Sequence, residues 1–357
     1  MLKEIVAQIE ALTAKLRRRQ IQGSDEVAIA TARLLRNVVA ASRCKDVPAL
    51  SKMVRDVGSK LQAAQPIELA VGNMVQRVLH LIAEEANAAA DESDSNSDPD
   101  SAADSDTPTA GTGTPRSTRS KFSTTSTTTT PAMRRSFVAN VKQSVEEMID
   151  ELENTTANIS NQAWEHIHSK EIILTLGYSS TVAHFLEVAA QVRDFQVIVA
   201  ETSPTHDGHT MAAALARAGI DTTVITDSAI FAVMSRVNKV ILGAHAVTAN
   251  GGCVAVCGTK VVALAAKQYS TPVVVCTGLH KVSPSYPYDT EAFGLLGQPG
   301  PVYAFEAGDI IDSVEIVNPL FDYIGPEDVS LFITNVGTHP PSFIQRLVHD
   351  NYLTEQP

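Results

Sequence analysis

Along the first 86 residues the apolar positions recur at steps of three and four, the period of an amphipathic helix. Leu2, Ile5, Val6, Ile9, Leu12 and Leu16 share one face of a first helix. Gly23 ends it. Ser24 offers an N-cap for a second helix, and Asp25 and Glu26 suit the positive end of that helix dipole. Leu34, Leu35, Val38 and Val39 form its buried stripe. Pro48 fits the first turn of a third helix, which carries Leu50, Met53, Val54, Val57 and Leu61. Ile67, Val71, Met74, Val75, Val78, Leu79 and Ile82 predict a fourth. From 87 to 130 the period stops, and Asp, Ser, Thr, Pro, Gly and Ala dominate. Such a stretch cannot bury enough apolar area to offset an ordering entropy of roughly 1–2 kcal/mol per residue. It reads as a disordered, acidic, Ser/Thr-rich insertion within a helical domain. The helical period then returns at Phe137, Val141, Val145, Met148, Ile149 and Leu152.

Past Glu171 the pattern changes. EIILTLG, FQVIVAE, TTVIT, KVILGA, TPVVVC and SLFITNVG are short apolar runs rich in β-branched residues. Between the first five lie helical segments: SSTVAHFLEVAAQV, GHTMAAALARAGI, DSAIFAVMSRV and GTKVVALAAKQ. Apolar strands alternating with helices predict a parallel sheet covered on both faces, wound by right-handed crossovers. The expected architecture is α/β: an all-helical domain over 1–168, then a Rossmann-like, doubly wound and mainly parallel sheet over 169–357.

Charge narrows the function classes. The net charge is −12 with a pI of about 5.3, which argues against direct binding to nucleic acid. Seven acids and no base fall between Asp91 and Asp106. No run reaches about 18 uninterrupted apolar residues, so no membrane span is expected. The N-terminus lacks the apolar core and cleavage site of a signal peptide. The four cysteines, Cys44, Cys253, Cys257 and Cys276, match no zinc spacing, which suggests reduced thiols and a cytosolic location.

Ligands of such sheets sit beyond the carboxyl ends of the strands. There, ANGGCVAVCGTK ends at a helix start, where Gly258 and Thr259 could turn amides toward an anion or simply form a tight turn. THDGH brings His206, Asp207 and His209 together, but the rest of the sequence offers no obvious partner to complete a site, so no metal is expected. Cys276 with His280 has the types of a nucleophile and base, against the plainer reading of a buried thiol. Asp227 reads as the cap of the helix it opens. The basic residues Arg17, Arg18, Arg19, Arg33, Arg36 and Arg43 suggest a face for an acidic or phosphorylated partner, or merely solvated helix surface.

Several stretches carry a resemblance. TDSAIFAVMSRVNKVILGAHAVTANGG, CGTKVVALAAKQYSTPVVVC, NPLFDYIGPEDVSLFITNVG and PPSFIQRLVHDNY resemble the alpha/beta/delta regulatory-subunit family of eukaryotic translation initiation factor 2B. That family is related to methylthioribose-1-phosphate and ribose-1,5-bisphosphate isomerases. EIILTLGYSSTV and FQVIVAETSPTHDGH are nearest in wording to its beta branch. The isomerases use a cysteine after an apolar strand, an aspartate in a GAD-type turn and an Asn-Lys pair that helps hold the phosphate. Those positions fall on Gly177, on His245, and on Ala255 and Val256, whereas Asn250, Gly251, Gly258 and Thr259 are kept. The resemblance therefore implies a residual cleft without isomerase activity, with no cofactor. Its alternative is a working sugar-phosphate isomerase. It also implies a non-catalytic regulatory subunit of the guanine-nucleotide exchange factor for initiation factor 2, paired directly with a delta subunit. Alpha, gamma and epsilon subunits would complete the assembly, which senses phosphorylation of the factor's alpha subunit. His168, Ser169 and His209 are expected near the junction with delta.

Overall fold

The computed structural model describes residues 2–21, 23–42, 46–95, 131–288, 294–308 and 313–352. The helical part comprises α1 (Leu2–Arg17), α2 (Ser24–Ala41), α3 (Val47–Ala64), α4 (Leu69–Ser95) and α5 (Pro131–Ser160). The predicted stripes are its core: Leu16, Leu35, Val54, Leu61, Met74 and Ile82 are buried together with Val141 and Val145 of α5. The helical period ends near Asn87, yet α4 continues to Ser95, which corrects the expected boundary. Its continuation contains Ala86, Ala88, Ala89 and Ala90, and alanine supports a helix without an apolar stripe. The remainder of the expected insertion, 96–130, lies outside the described residues.

A short helix α6 (Ala163–His166) leads into the α/β part. Its main sheet holds β1 (Ile172–Leu176), β2 (Gln196–Ala200), β3 (Asp221–Ile225), β4 (Lys239–Gly243), β7 (Val273–Cys276), β9 (Leu331–Thr334) and β10 (Gly337–His339). The order is β10-β9-β7-β4-β1-β2-β3, and only the β9–β10 pair is antiparallel. Helices α7 (Ser180–Ala190), α8 (Asp207–Arg217), α9 (Ile230–Met234), α10 (Thr259–Gln268) and α11 (Ile344–Asn351) belong to this part. Two buried clusters, one around Phe185 and one around Phe332, fill the layers between sheet and helices. The doubly wound, mainly parallel sheet is thus as expected.

Three local readings need correction. Cys253–Val256, where no strand was expected, is strand β6, which pairs antiparallel with β5 (Ala246–Val247) and β8 (Phe321–Ile324) in a second small sheet. The helix expected over DSAIFAVMSRV is a 3-10 turn followed by only five residues of α9. Asp227 does not cap it. Its carboxylate instead accepts from the amides of Thr202 (2.9 Å) and Ser203 (2.7 Å), tying down the loop after β2.

The two parts share α5. Its middle supplies Val145, Ile149 and Leu152 to the helical core, whereas Ile159 in its last turn packs with Phe185 of the α/β part. Glu151, between them, accepts from Arg77 of α4 and from Asn335 Nδ2 (2.7 Å) beyond β9. One continuous helix therefore ties both cores together.

Candidate functional site

The sheet order reverses between β1 and β4, and a crevice outside the carboxyl ends of those strands is the expected ligand position in this architecture. A cavity of about 360 Å³ lies there. Leu176, Tyr178 and Ser179 form one wall, and Leu242, Gly243, Ala244 and His245 the other. Ser24 and Asp25, at the start of α2, reach in from the helical part. Gly177 ends β1 at φ +66°, a left-handed conformation that a side chain resists. A Cβ on Gly243 would come within 2.6 Å of Ser179 Oγ, so the crevice requires glycine there.

His245 is the residue that the resemblance sets where isomerases keep an aspartate. Its ring stacks on Phe321 at 4.3 Å, and its Nδ1 lies 3.2 Å from Ser24 Oγ. Burial pushes its pKa down to about 4, and nearby Lys281 adds to the effect. Its Nε2 is 3.7 Å from Glu68 Oε2. Burial raises Glu68 to about 6, although a hydrogen bond from Ser24 works the other way. The imidazole is thus neutral at pH 7, and the two side chains do not form a full ion pair.

This arrangement carries a signed pH prediction. A carboxyl whose pKa is raised by folding lowers stability as pH rises from its ordinary value of 4.5 to about 6. Glu68→Gln removes that cost, so it should stabilise the chain by about 1–2 kcal/mol at pH 7.5 and by almost nothing at pH 4. Urea unfolding of both proteins at the two pH values checks this. A variant less stable than the parent at pH 7.5 would contradict it.

Asp25 makes the second polar cluster. One of its oxygens lies 2.6 Å from His280 Nε2 and 3.3 Å from Lys281 Nζ. Burial by itself would raise this carboxyl, but the His280 hydrogen bond and the Lys281 charge hold it well below the usual range. Asn73 of α4 donates to the His280 carbonyl at 2.9 Å. Both helices thereby dock on the segment after β7.

The anion-binding turn is occupied by the protein itself. The amides of Gly258 and Lys260, at the start of α10, donate to Asp322 Oδ2 at 2.7 and 3.2 Å. Thr259 Oγ1 bonds the Val256 carbonyl, and Lys260 Nζ is held by Asp328 at 2.7 Å. Asn250 and Gly251 do not line the cavity. The Asn250 side chain closes its own turn, taking bonds from Thr248 (2.6 Å) and Gly252 (3.0 Å) and donating to Tyr323 (2.9 Å). Of the expected cleft positions, His245 and Thr259 face the cavity, Gly177 and Gly258 shape its backbone, and Asn250 and Gly251 belong elsewhere.

No described cysteine suits a nucleophile. Burial pushes Cys253 and Cys276 up to about 12 and Cys257 up to about 11. His280 is bonded to Asp25 rather than to Cys276. Sequence reasoning had assigned no site role to Glu68, Lys281 or Asp322. Asp322 lies in the NPLFDYIG stretch, but its aim at the α10 amides depends on the β6–β8 pairing.

The remaining expected residues do not form the groups foreseen. Arg33 and Arg36 pair with Glu153 (2.6 Å) and Glu146 (3.2 Å) of α5, so their charges serve helix packing. The Arg33 and Glu153 side chains are 57% and 44% exposed, and such pairs contribute little. Arg33→Ala should therefore shift unfolding by no more than about 0.5 kcal/mol, and a loss above about 1.5 kcal/mol would show otherwise. Arg17, Arg18 and Arg19 are exposed at the end of α1, and Arg43 lies outside the described residues. His168 and Ser169 precede β1, while His209 follows β2. The strands are parallel and five residues long, so these groups sit at opposite strand ends of the sheet, separated by roughly 17 Å of strand. They are not one patch.

A family profile described as "Initiation factor 2 subunit family" matches residues 20–341. The "Translation initiation factor eIF2B subunit beta" of Dictyostelium discoideum is 46% identical over 366 residues, covering 96% of this chain and 94% of that protein. Its namesake from Schizosaccharomyces pombe is 41% identical, with 96% and 95% covered. A ribose 1,5-bisphosphate isomerase of Pyrococcus furiosus is 24% identical over 94% of the chain and 92% of its own length. Among solved structures, eIF2B beta of Chaetomium thermophilum superposes with a TM-score of 0.76 at 32% identity, covering 98% of this chain and 93% of that one. A chain of the tetrameric eIF2B beta2-delta2 complex of the same organism also matches, with a TM-score of 0.72, 30% identity and coverage of 98% and 95%. With a family profile spanning most of its length and relatives this similar, the chain belongs to the initiation factor 2 subunit family, within the group of its eIF2B beta subunits.

Proposed function

We propose that this chain is a non-catalytic regulatory subunit of the exchange factor that reloads translation initiation factor 2, and that it pairs directly with a delta subunit. The observation that carries the reading is the state of the cleft. An isomerase of this fold needs a reactive group after β1, a charged partner after β4 and free amides for a phosphate. Here those places hold Gly177, a neutral His245, and amides already bonded to Asp322. A fold with such a cleft retains its surfaces. Tyr178, Phe231, Val261, Leu264 and Tyr269 of the α/β part are exposed apolar side chains that a partner chain could cover. The tetramer solved for a relative, built from beta and delta chains, supports delta as the direct partner.

On the same reading, alpha, gamma and epsilon subunits complete the assembly, epsilon carries out nucleotide exchange, and the whole acts in the cytosol. Among the described residues no helix is long and apolar enough to cross a membrane. Arg17, Arg18 and Arg19 are the basic residues left for an acidic or phosphorylated partner, since Arg33 and Arg36 are paired internally. His168 and Ser169 at the amino ends of the strands and His209 at the carboxyl ends would meet different neighbours.

Co-expression with a delta subunit tests the central claim. The pair should co-purify and sediment as a two-plus-two assembly, and two separate, non-associating chains would refute it. Incubation with methylthioribose-1-phosphate should yield no ketose product, and turnover would restore the isomerase reading.

A further inference from the structure

We propose that Glu201, His206 and His209 form a binding site for one divalent transition-metal ion of the zinc class. His206 Nδ1 lies 3.8 Å, and His209 Nε2 3.9 Å, from the same Glu201 Oε2. One ligand atom from each of the three residues falls within 4.8 Å of the others. The two imidazoles stack at 5.2 Å with an interplanar angle of 13°, so the loop already holds them side by side.

The third ligand was invisible in the linear motif. THDGH contains two histidines and an aspartate, but Asp207 turns away and accepts from Thr205 Oγ1 at 2.8 Å. Glu201, at the end of β2, takes its place because the loop folds back. His206 is left-handed at φ 57°, and its amide donates to the Thr202 carbonyl at 2.8 Å. Gly208 donates to the Glu201 carbonyl at 3.1 Å, and His209 to the His206 carbonyl at 3.0 Å. The Asp227 carboxylate holds the amides of Thr202 and Ser203 from below. Backbone bonds therefore fix the positions of all three ligand residues before any ion arrives.

The donor set selects the metal. Two imidazole nitrogens and one carboxylate oxygen suit zinc, copper or nickel, whereas magnesium and calcium prefer all-oxygen shells. Tetrahedral zinc with bonds of about 2.0–2.1 Å needs ligand atoms about 3.3 Å apart. The two distances to Glu201 Oε2, 3.8 and 3.9 Å, exceed that by roughly half an ångström, and side-chain rotation must draw the three ligand atoms together. A metal also resolves the local electrostatics. Without an ion, the nearest ring nitrogens stand 3.8 and 3.9 Å from the carboxylate oxygen, too far for a hydrogen bond. A dication is attracted to all three lone pairs at once. The histidine side chains are 49% and 57% exposed, so the fourth position opens to solvent and takes water.

The test uses the full chain, freed of any histidine tag and stripped with chelator. Calorimetric titration with zinc chloride should show one high-affinity site per chain. Cobalt(II) substituted into that site should give visible d–d bands without the charge-transfer band of a thiolate ligand. His206→Ala and His209→Ala should each weaken zinc affinity by more than the roughly 10–100-fold that the loss of an outer-shell partner causes. His184→Ala removes another exposed histidine, one paired with Glu187, and should leave affinity within about threefold. Circular dichroism confirms that each variant is folded. Absence of a site in the parent chain, unchanged affinity in the two ligand variants, or a thiolate band would overturn the proposal. None of these outcomes bears on pairing with delta, so the two readings fail separately.

Discussion

Replacing Asp25 by alanine is expected to destabilise the chain by about 3 kcal/mol at pH 7, near the low end of the range for breaking a buried ion pair. The carboxylate is the shared partner of His280 and Lys281, whose side chains are 2% and 9% exposed. Its removal takes from the buried Lys281 ammonium the carboxylate bonded to it. It also leaves His280, whose Nδ1 already lacks a partner, without a bond at Nε2. The value sits at the low end because Asp25 itself is 34% exposed toward the cleft, where solvent screens part of the loss. The sign of the pH dependence follows from the lowered pKa. A carboxyl depressed by folding contributes stability that is present above its ordinary value of 3.8 and is lost as pH falls through its folded value. The gap between parent and variant should therefore narrow below about pH 4. Urea unfolding across that range measures it, and a loss under about 1 kcal/mol at pH 7 would mean that the cluster does not hold the two parts together.

Gly208→Ala should cost a similar amount, about 3 kcal/mol, at the upper end of overpacking penalties. In an ordinary helical position this change would stabilise by up to about 1 kcal/mol through helix propensity. Here the sign reverses. A Cβ on Gly208 would stand 2.1 Å from the Ala200 carbonyl oxygen and 2.8 Å from Glu201 Cα, and both obstacles are backbone. The first turn of α8 would have to lift off β2. His206 and His209 would then move relative to Glu201, so the same variant should lose zinc binding while keeping its helical circular-dichroism signal. Thermal unfolding measures the first effect, and an unchanged or raised midpoint would show that the contact relaxes freely.

Much of the fold was legible because its signals are local. Each of the six strands expected in the α/β part is a short apolar run, and each of the helices α1 to α4 shows its own buried stripe. The absences at the cleft were equally local, since a glycine at 177 and a histidine at 245 are stated by the letters themselves. The failures have one source. Strand β6 is four residues long and paired to β8 across 65 to 71 positions of chain, so nothing nearby marks it as a strand. Asp227 looked like a helix cap because the 3-10 turn it opens is adjacent, whereas the amides it satisfies are 25 and 24 positions earlier.

The sequence by itself determined the fold class, the helical and α/β parts, the family and the residue types at 177 and 245, because periodicity and residue identity are properties of neighbours along the chain. Only the tertiary structure decided what fills the emptied site. Asp322 reaches the α10 amides, Glu68 comes beside His245, Asp25 meets His280 and Lys281, and Glu201 joins His206 and His209. Charges and lone pairs act over a few ångströms of space, and no spacing along the chain reports which side chains a crossover sheet will bring within that reach.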